Sequence, residues 1–196
     1  MLRRIDPVPP VIAVDPGFGV AKSSGTGICA VIGTEVIESV GLRLHRDDDL
    51  VSYTKRVSSH IQRIRDEHPE HQWTIAVEAM ISQSSTPHHR RTRKNPAGTL
   101  MAGQLAGAIW GRFAGVLVSP GGNGQHHLGC TEHARCIEFR KTHSKDYGLL
   151  ELHYPDCLIG TRPKGWYGDG GERSHERSAF DVCFKAWSSM PRKPIR

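Results

Sequence analysis

The sequence lacks the features of secreted and membrane proteins. It has only five cysteines, an odd number, with no CxxC pair, which favours free thiols in a reducing compartment over a disulfide framework. The basic N-terminus is not followed by an apolar stretch, so we expect no secretory signal. The longest apolar stretch, residues 97–118, is interrupted by Gln104 and Arg112 and predicts a buried or interface helix rather than a membrane span.

Aromatic residues are scarce at 7%, but the 37% hydrophobic content and 21 glycines are typical of a globular chain rather than a disordered or fibrous one. We expect one domain over residues 11–190, between an extended tail (1–10) and a basic tail (191–196).

Acidic residues are outnumbered: 26 Lys and Arg against 20 Asp and Glu give a net charge of +6. This surplus weakly favours a polyanionic partner.

Hydrophobic periodicity predicts an α/β fold with a mixed five-stranded sheet. Short apolar runs predict strands at 11–14, 26–32 and 35–44, joined closely enough to form an antiparallel meander. A helix at 47–68, a strand at 73–77, a helix at 97–113 and a strand at 115–118 follow, and this alternation implies parallel strands. Further helices are predicted at 131–141 and from residue 174 or 178 to 187.

Three acidic residues stand where functional groups usually lie. Asp15 ends the first predicted strand, Glu78 ends the fourth, and Asp181 lies in the last helix. Functional groups gather at the carboxyl ends of strands in α/β sheets. Converging carboxylates repel one another unless a cation neutralises them, and oxygen ligands suit Mg²⁺ or Mn²⁺. The alternatives are purely structural roles: a turn cap at Asp15, a solvated strand end at Glu78 and a salt bridge from Asp181 to Arg177.

Several short motifs carry a resemblance to a known family. The segment VIAVDPG at 11–17 is followed by TGICA at 26–30, IAVE at 75–78 and an apolar helix from residue 97. This series resembles the RuvC-like Holliday junction resolvases of the RNase H-like superfamily. Residues 175–181, HERSAFD, look like the helix with that family's last acidic ligand.

The resemblance implies both a fold and an activity. It implies a three-layer RNase H-like fold and a metal-dependent endonuclease that cleaves branched DNA, leaving 5′-phosphate and 3′-hydroxyl ends. Asp15, Glu78 and Asp181 would be its catalytic carboxylates and would bind Mg²⁺ or Mn²⁺, with two ions per site. It further implies a homodimer, a cytoplasmic location in a bacterial or phage-infected cell, and a divergent phage or mobile-element member.

One position departs from the family pattern. The family usually has a second Asp or His one helical turn before the last Asp, and this chain has Ser178 there. Either three carboxylates suffice, or His175 or Glu176 reaches the site from the start of the helix.

A basic run follows Glu78 along the chain. Residues 88–94 read HHRRTRK and contain no acid, so Arg90, Arg91, Arg93 and Lys94 are predicted to contact DNA phosphates. Arg140, Lys141 and Lys145 are further candidates. A solvated charged loop is the alternative.

Two other patterns leave alternatives open. Glycines at every fourth position from 103 to 115 favour close packing of a helix on the sheet, with a dimer contact as the alternative. A dense set of His and Cys residues spans 126–136, but its spacing is not that of a standard zinc finger. Scattered histidines in a DNA-facing region are the favoured interpretation, and a structural zinc ion is the alternative.

Two other functions compete with a nuclease. A non-catalytic RNase H-like DNA-binding or scaffold protein is consistent with Ser178 at the ligand position. An actin-like ATPase or sugar kinase also begins with a strand that ends in Asp-x-Gly, but its two lobes need far more than 196 residues.

Overall fold

The structure is a computed structural model that describes residues 9–19, 25–80, 96–120, 123–124, 126–143, 147–157 and 174–189. The strands are β1 (Val11–Asp15), β2 (Thr26–Ile32), β3 (Glu35–Leu42), β4 (Thr74–Glu78) and β5 (Val116–Val118). The helices are α1 (Leu50–Glu67), α2 (Pro96–Phe113), α3 (His133–His143), α4 (Tyr147–His153) and α5 (Ser174–Ser189).

The strands form one mixed sheet in the order β3-β2-β1-β4-β5. β1, β2 and β3 pair antiparallel, whereas β4 lies parallel to β1 and β5 lies parallel to β4. The arrangement expected from the sequence, a mixed sheet of three antiparallel strands and then parallel strands flanked by helices, is confirmed. Some bounds differ from the prediction: β3 ends at Leu42 rather than 44, and α3 spans His133–His143 rather than 131–141. α1 begins at Leu50 because Asp49 caps it by accepting a hydrogen bond from the Ser52 amide, and α4 was not predicted.

The alternation of side chains along β1 builds the three layers. Ile12 and Val14 pack with α1 and α2 on one face of the sheet, and Val11 and Ala13 pack with α5 on the other. Successive side chains of a strand point to opposite faces, so Asp15 belongs to the α5 face. All four apolar β1 residues are fully buried, as expected for a central strand covered on both sides.

The turn after β1 is held by Thr26 and Tyr53. The Thr26 hydroxyl donates to the Gly17 carbonyl at 2.9 Å, and the buried Tyr53 hydroxyl donates to the Leu42 carbonyl at 2.8 Å and accepts from the Thr26 amide at 3.1 Å. This network fixes the backbone that follows Asp15.

The start of α5 lies against the backbone of β2. A Cβ at Gly27 would overlap the carbonyl of His175, so only glycine permits this close approach. The glycine in the second strand therefore sets where the first turn of α5 sits over the sheet.

Only part of the glycine stripe packs on the sheet as predicted. A Cβ at Gly115, just after α2, would lie 2.6 Å from the Ile75 carbonyl oxygen of β4, whereas a Cβ at Gly107 or Gly111 would meet nothing within 4 Å. Leu105 and Ile109 face the sheet instead, and Gly107 and Gly111 lie on the exposed side of α2 beside Trp110, which is 46% exposed. No described helix is long and apolar enough to cross a membrane.

Several predictions fall outside the described residues. They concern most of the two tails and the basic run with Arg90, Arg91, Arg93 and Lys94. The single domain over residues 11–190 stays a prediction.

Candidate active site

Asp15 and Glu78 lie side by side where β1 and β4 end. The parallel register pairs Val14 with Val77, so the next residue of each strand carries a carboxylate at the same edge of the sheet. Both residues are buried with 9% of their surface exposed, and Asp15 is close enough to contribute to the raised pKa of Glu78. The sequence prediction that these two residues converge agrees with this geometry.

The surroundings of Glu78 oppose its ionisation. Burial and the neighbouring Asp15 carboxylate raise the pKa of Glu78 to about 8. Ser178 donates to Glu78 Oε2 at 3.3 Å, and Asn123 donates to Oε1 at 2.6 Å. The Glu78 carboxyl group therefore holds a proton near neutral pH unless a cation replaces it.

The first turn of α5 brings His175 to this pair. Its Nδ1 lies 2.8 Å from Asp15 Oδ2. Glu176 points elsewhere, because its carboxylate accepts from the Ser39 hydroxyl at 3.0 Å. Of the two residues that the sequence offered as an additional ligand, the structure brings His175 to Asp15.

Asp181 has different neighbours. Its Oδ1 lies 2.8 Å from His126 Nδ1 and 2.6 Å from His133 Nε2, and only 1% of the residue is exposed. Burial by itself would raise the pKa of Asp181. The charge of His126 and hydrogen bonds from both imidazole rings outweigh burial and hold this pKa far below its usual range. The carboxylate is therefore ionised inside a histidine pair, and its assignment as a catalytic metal ligand stays a prediction.

The two histidines differ in charge. Burial opposes protonation of His126, but the Asp181 carboxylate outweighs it and raises the pKa of His126 to about 9. Burial and the neighbouring His126 lower the pKa of His133 to about 4. The neutral His133 ring stacks on Phe184 with the centroids 4.0 Å apart.

A divalent cation fits the Asp15 side of this region. The carboxylate oxygens of Asp15 and Glu78 are donors that suit Mg²⁺ or Mn²⁺. His175 Nδ1, at a hydrogen-bond distance of 2.8 Å from Asp15 Oδ2, would be a further ligand. Asn123 Oδ1 is buried and has no hydrogen-bond partner among the described residues. A cation, or water bound to it, would satisfy such an oxygen.

A lysine from the last turns of α5 adds positive charge. Lys185 lies near Glu78 and Asp181, and its burial lowers its pKa despite these two carboxylates. It belongs to the same helix as His175 and Ser178, so α5 supplies three of the polar groups around the strand ends.

No protein-family model matches the chain, and no curated protein matches it. Among solved structures it is similar to T. thermophilus RuvC in complex with Holliday junction substrate, with a TM-score of 0.48, 10% identity, and 90% of this chain and 91% of that chain covered. It is also similar to the Thermus thermophilus RuvC structure, with a TM-score of 0.44, 11% identity and the same coverage, 90% and 91%. These likenesses concern the fold alone.

Sequence reasoning missed Asn123 and the partners of Asp181. Asn123 lies in a glycine-rich loop with no periodicity to place it. The signal for the partners was the set of histidines at 126–133, which we expected to face DNA. The rings of His126 and His133 are instead buried.

Proposed function

We propose that this protein is a metal-dependent endonuclease that cleaves phosphodiester bonds in branched DNA. The observation that carries the proposal is the pair of Asp15 and Glu78 at the carboxyl ends of two adjacent parallel strands, with His175 of α5 in contact with Asp15. The sequence motifs around these residues resemble RuvC-like resolvases, and the strand order agrees with that resemblance.

Asp15 and Glu78 would hold the cation, with His175 as a further ligand or a partner of Asp15. A bound Mg²⁺ or Mn²⁺ would lower the pKa of water and stabilise the charge that develops on the phosphodiester. Asn123 and Ser178 orient the Glu78 carboxylate through hydrogen bonds to both of its oxygens. A second ion stays part of the proposal, and Asp181 would have to exchange its histidine partners to bind it.

Binding of DNA is supported by the net charge of +6. The basic run at 88–94 leads away from Glu78 along the chain, and phosphate contacts by Arg90, Arg91, Arg93 and Lys94 are part of the proposal. So are a homodimer, a cytoplasmic location and a phage or mobile-element origin. Exposed Leu100 and Trp110 on α2 support a dimer contact on that helix.

The decisive experiment is cleavage of a labelled four-way junction in the presence of Mg²⁺ or Mn²⁺. We expect metal-dependent cutting of the junction in preference to a linear duplex of the same sequence. Asp15→Asn and Glu78→Gln should abolish cutting and leave junction binding intact, because neither change reduces the positive charge. Glu35→Gln, which changes an exposed carboxylate of β3, is the matched control and should cut normally.

A non-catalytic DNA-binding protein is the second candidate. Ser178 at the ligand position and the buried hydrogen bonds of Asp181 favour it, because they leave two carboxylates at the strand ends. This candidate predicts tight junction binding with no cleavage at any metal concentration. Junction binding by both wild type and Asp15→Asn, without cutting by either, would establish it.

A further inference from the structure

A second group of potential metal ligands lies away from Asp15 and Glu78. It consists of His126 and three cysteines, Cys130, Cys136 and Cys157. The ligand atoms of His126, Cys136 and Cys157 all lie within 4.8 Å of one another. Cys130 packs against Cys136 and Cys157 and lies next to the Cys157 thiol, but it is not one of the three whose ligand atoms lie within 4.8 Å of one another. Its side chain would have to move toward His126 and Cys136 to become the fourth ligand.

The orientation of His126 matches a metal ligand with a supporting carboxylate. Its Nδ1 lies 2.8 Å from Asp181 Oδ1, and its Nε2 faces Cys136 Sγ at 3.4 Å. A metal-bound histidine usually donates its other N–H to a carboxylate, which fixes the ring. For a tetrahedral zinc ion, with Zn–S of about 2.3 Å and Zn–N of about 2.0–2.1 Å, adjacent nitrogen and sulfur ligands would be about 3.6 Å apart.

The backbone presents the cysteines from three different segments. Cys130 ends one turn, with its amide bonded to the His127 carbonyl at 3.1 Å, and Cys157 ends another, with its amide bonded to the Tyr154 carbonyl at 3.1 Å. The His127 amide donates a hydrogen bond to the Cys157 carbonyl at 3.0 Å, and this bond joins the two turns. Cys136 comes from α3.

The local core around these thiols is small. Its buried members are Cys136, Leu150 and Cys157, and Cys130, Phe139 and Tyr154 pack against them. A cleft of about 350 Å³ lined by Cys130 and Cys157 adjoins the group and gives an ion a way in.

We propose that His126, Cys130, Cys136 and Cys157 bind one structural zinc ion. Three thiolates and one imidazole are a common donor set for a structural zinc site, and soft sulfur ligands favour Zn²⁺ over Mg²⁺. Asp181 is then a positioning residue that holds His126 and links the zinc site to α5. The proposal does not depend on nuclease activity.

The neighbouring group of His126, His133 and Asp181 is less suited to an ion. Both rings contact the same carboxylate oxygen at 2.6–2.8 Å, which are ordinary distances for charge-assisted hydrogen bonds. Ligands at about 2.1 Å around a tetrahedral zinc ion would instead be about 3.4 Å apart. Asp181 therefore supports the zinc site from outside.

The test is the metal content of tag-free protein purified without chelators. We expect one zinc ion per chain, and replacement by Co²⁺ should give the sulfur-to-cobalt charge-transfer absorption of a site with three thiolates. Both measurements use the wild-type protein, so neither depends on the folding of a variant. Absence of zinc together with absence of the cobalt spectrum would overturn the proposal, as would a disulfide among these cysteines in thiol-blocked protein.

Variants identify the ligands. Cys136→Ser and Cys157→Ser should lose the zinc ion, and Cys29→Ala, which alters a buried cysteine of the sheet, should keep it. Asp181→Asn should retain the cobalt spectrum and weaken zinc affinity by about 10–100-fold. A full zinc complement in Cys136→Ser and Cys157→Ser would exclude them as ligands and overturn the proposal.

Discussion

His175 Nδ1 lies 2.8 Å from Asp15 Oδ2, although 160 residues separate them in the chain. The contact joins the first turn of α5 to the end of β1, and it leaves the His175 side chain 27% exposed. Asp181, two turns further along α5, is by contrast fully enclosed by its histidine partners. The accessible end of the helix is therefore the end that meets the paired carboxylates.

Replacement of His175 tests whether this end binds the catalytic cation. We expect His175→Ala to weaken Mn²⁺ binding by roughly tenfold or more, since it removes either a ligand or the group that fixes Asp15. Titration calorimetry of zinc-loaded protein measures this affinity. His45→Ala alters an exposed histidine and should bind Mn²⁺ like wild type. Equal affinities for all three proteins would remove His175 from the site.

Asp181→Asn separates the two roles open to Asp181. In zinc-free protein the carboxylate pairs with a buried, protonated His126, and breaking a buried charge pair costs about 3–5 kcal/mol of stability. We expect a large loss in urea unfolding with little change in Mn²⁺ affinity at the Asp15 site. Asp66→Asn, in an exposed pair with Gln62, should leave stability nearly unchanged. Lost Mn²⁺ affinity at normal stability would instead make Asp181 a ligand.

Glu78 makes the stability of the metal-free protein depend on pH. Its pKa in the folded protein, about 8, lies above its ordinary 4.5, so folding favours the neutral form. This contribution to stability is complete below the ordinary pKa and is lost as the pH rises through about 8.

The glutamine side chain of Glu78→Gln does not titrate, so this variant does not lose stability as the pH rises through about 8. In EDTA at about pH 9 the variant should be more stable than wild type, by roughly 0.5–2 kcal/mol. Near pH 5, where wild-type Glu78 is mostly neutral, the two should be similar. Thermal unfolding across this pH range measures the difference, and parallel curves would show that Glu78 is ionised throughout.

Much of the fold followed from local sequence patterns. Alternation and helical periods predicted all five described strands and four of the five described helices, because strands such as β1 are continuously apolar and α1 has one apolar face. The short α4 was missed because seven residues hold too few turns to show a period.

The site was predictable only in part. Asp15 and Glu78 end apolar strands, which is a local signal. Asp181 was predicted to join these two carboxylates, but it contacts His126 and His133 instead. These contacts depend on the tertiary packing of the segment that carries the two histidines. The convergence of Cys157 with Cys130 depends on two turns brought together by α4, and no spacing rule indicates it.

Gly27 tests whether close approach of α5 to β2 positions the site. A Cβ there would overlap the His175 carbonyl, so Gly27→Ala must displace the first turn of α5, and overpacking of this kind costs about 1–3 kcal/mol. We expect lower stability together with weaker Mn²⁺ binding. Gly107→Ala, at an exposed helix position with open space, should gain up to about 1 kcal/mol from helix propensity. Normal Mn²⁺ affinity in Gly27→Ala would contradict the positioning role.

Ser178 offers a gain-of-function test, because its hydroxyl lies 3.3 Å from Glu78 Oε2. Ser178→Asp would place a third carboxylate beside Asp15 and Glu78. Without metal this adds repulsion, so the melting temperature in EDTA should fall below that of wild type. With excess Mg²⁺ the added ligand should reverse the effect, since each tenfold gain in affinity adds about 1.4 kcal/mol of stability at saturation.

Ser178→Ala is the matched control: it loses the hydrogen bond to Glu78 without adding a ligand, and Mg²⁺ should stabilise it no more than wild type. A Ser178→Asp protein that Mg²⁺ stabilises no more than it does the Ala variant would show that this edge of the sheet does not bind a divalent cation.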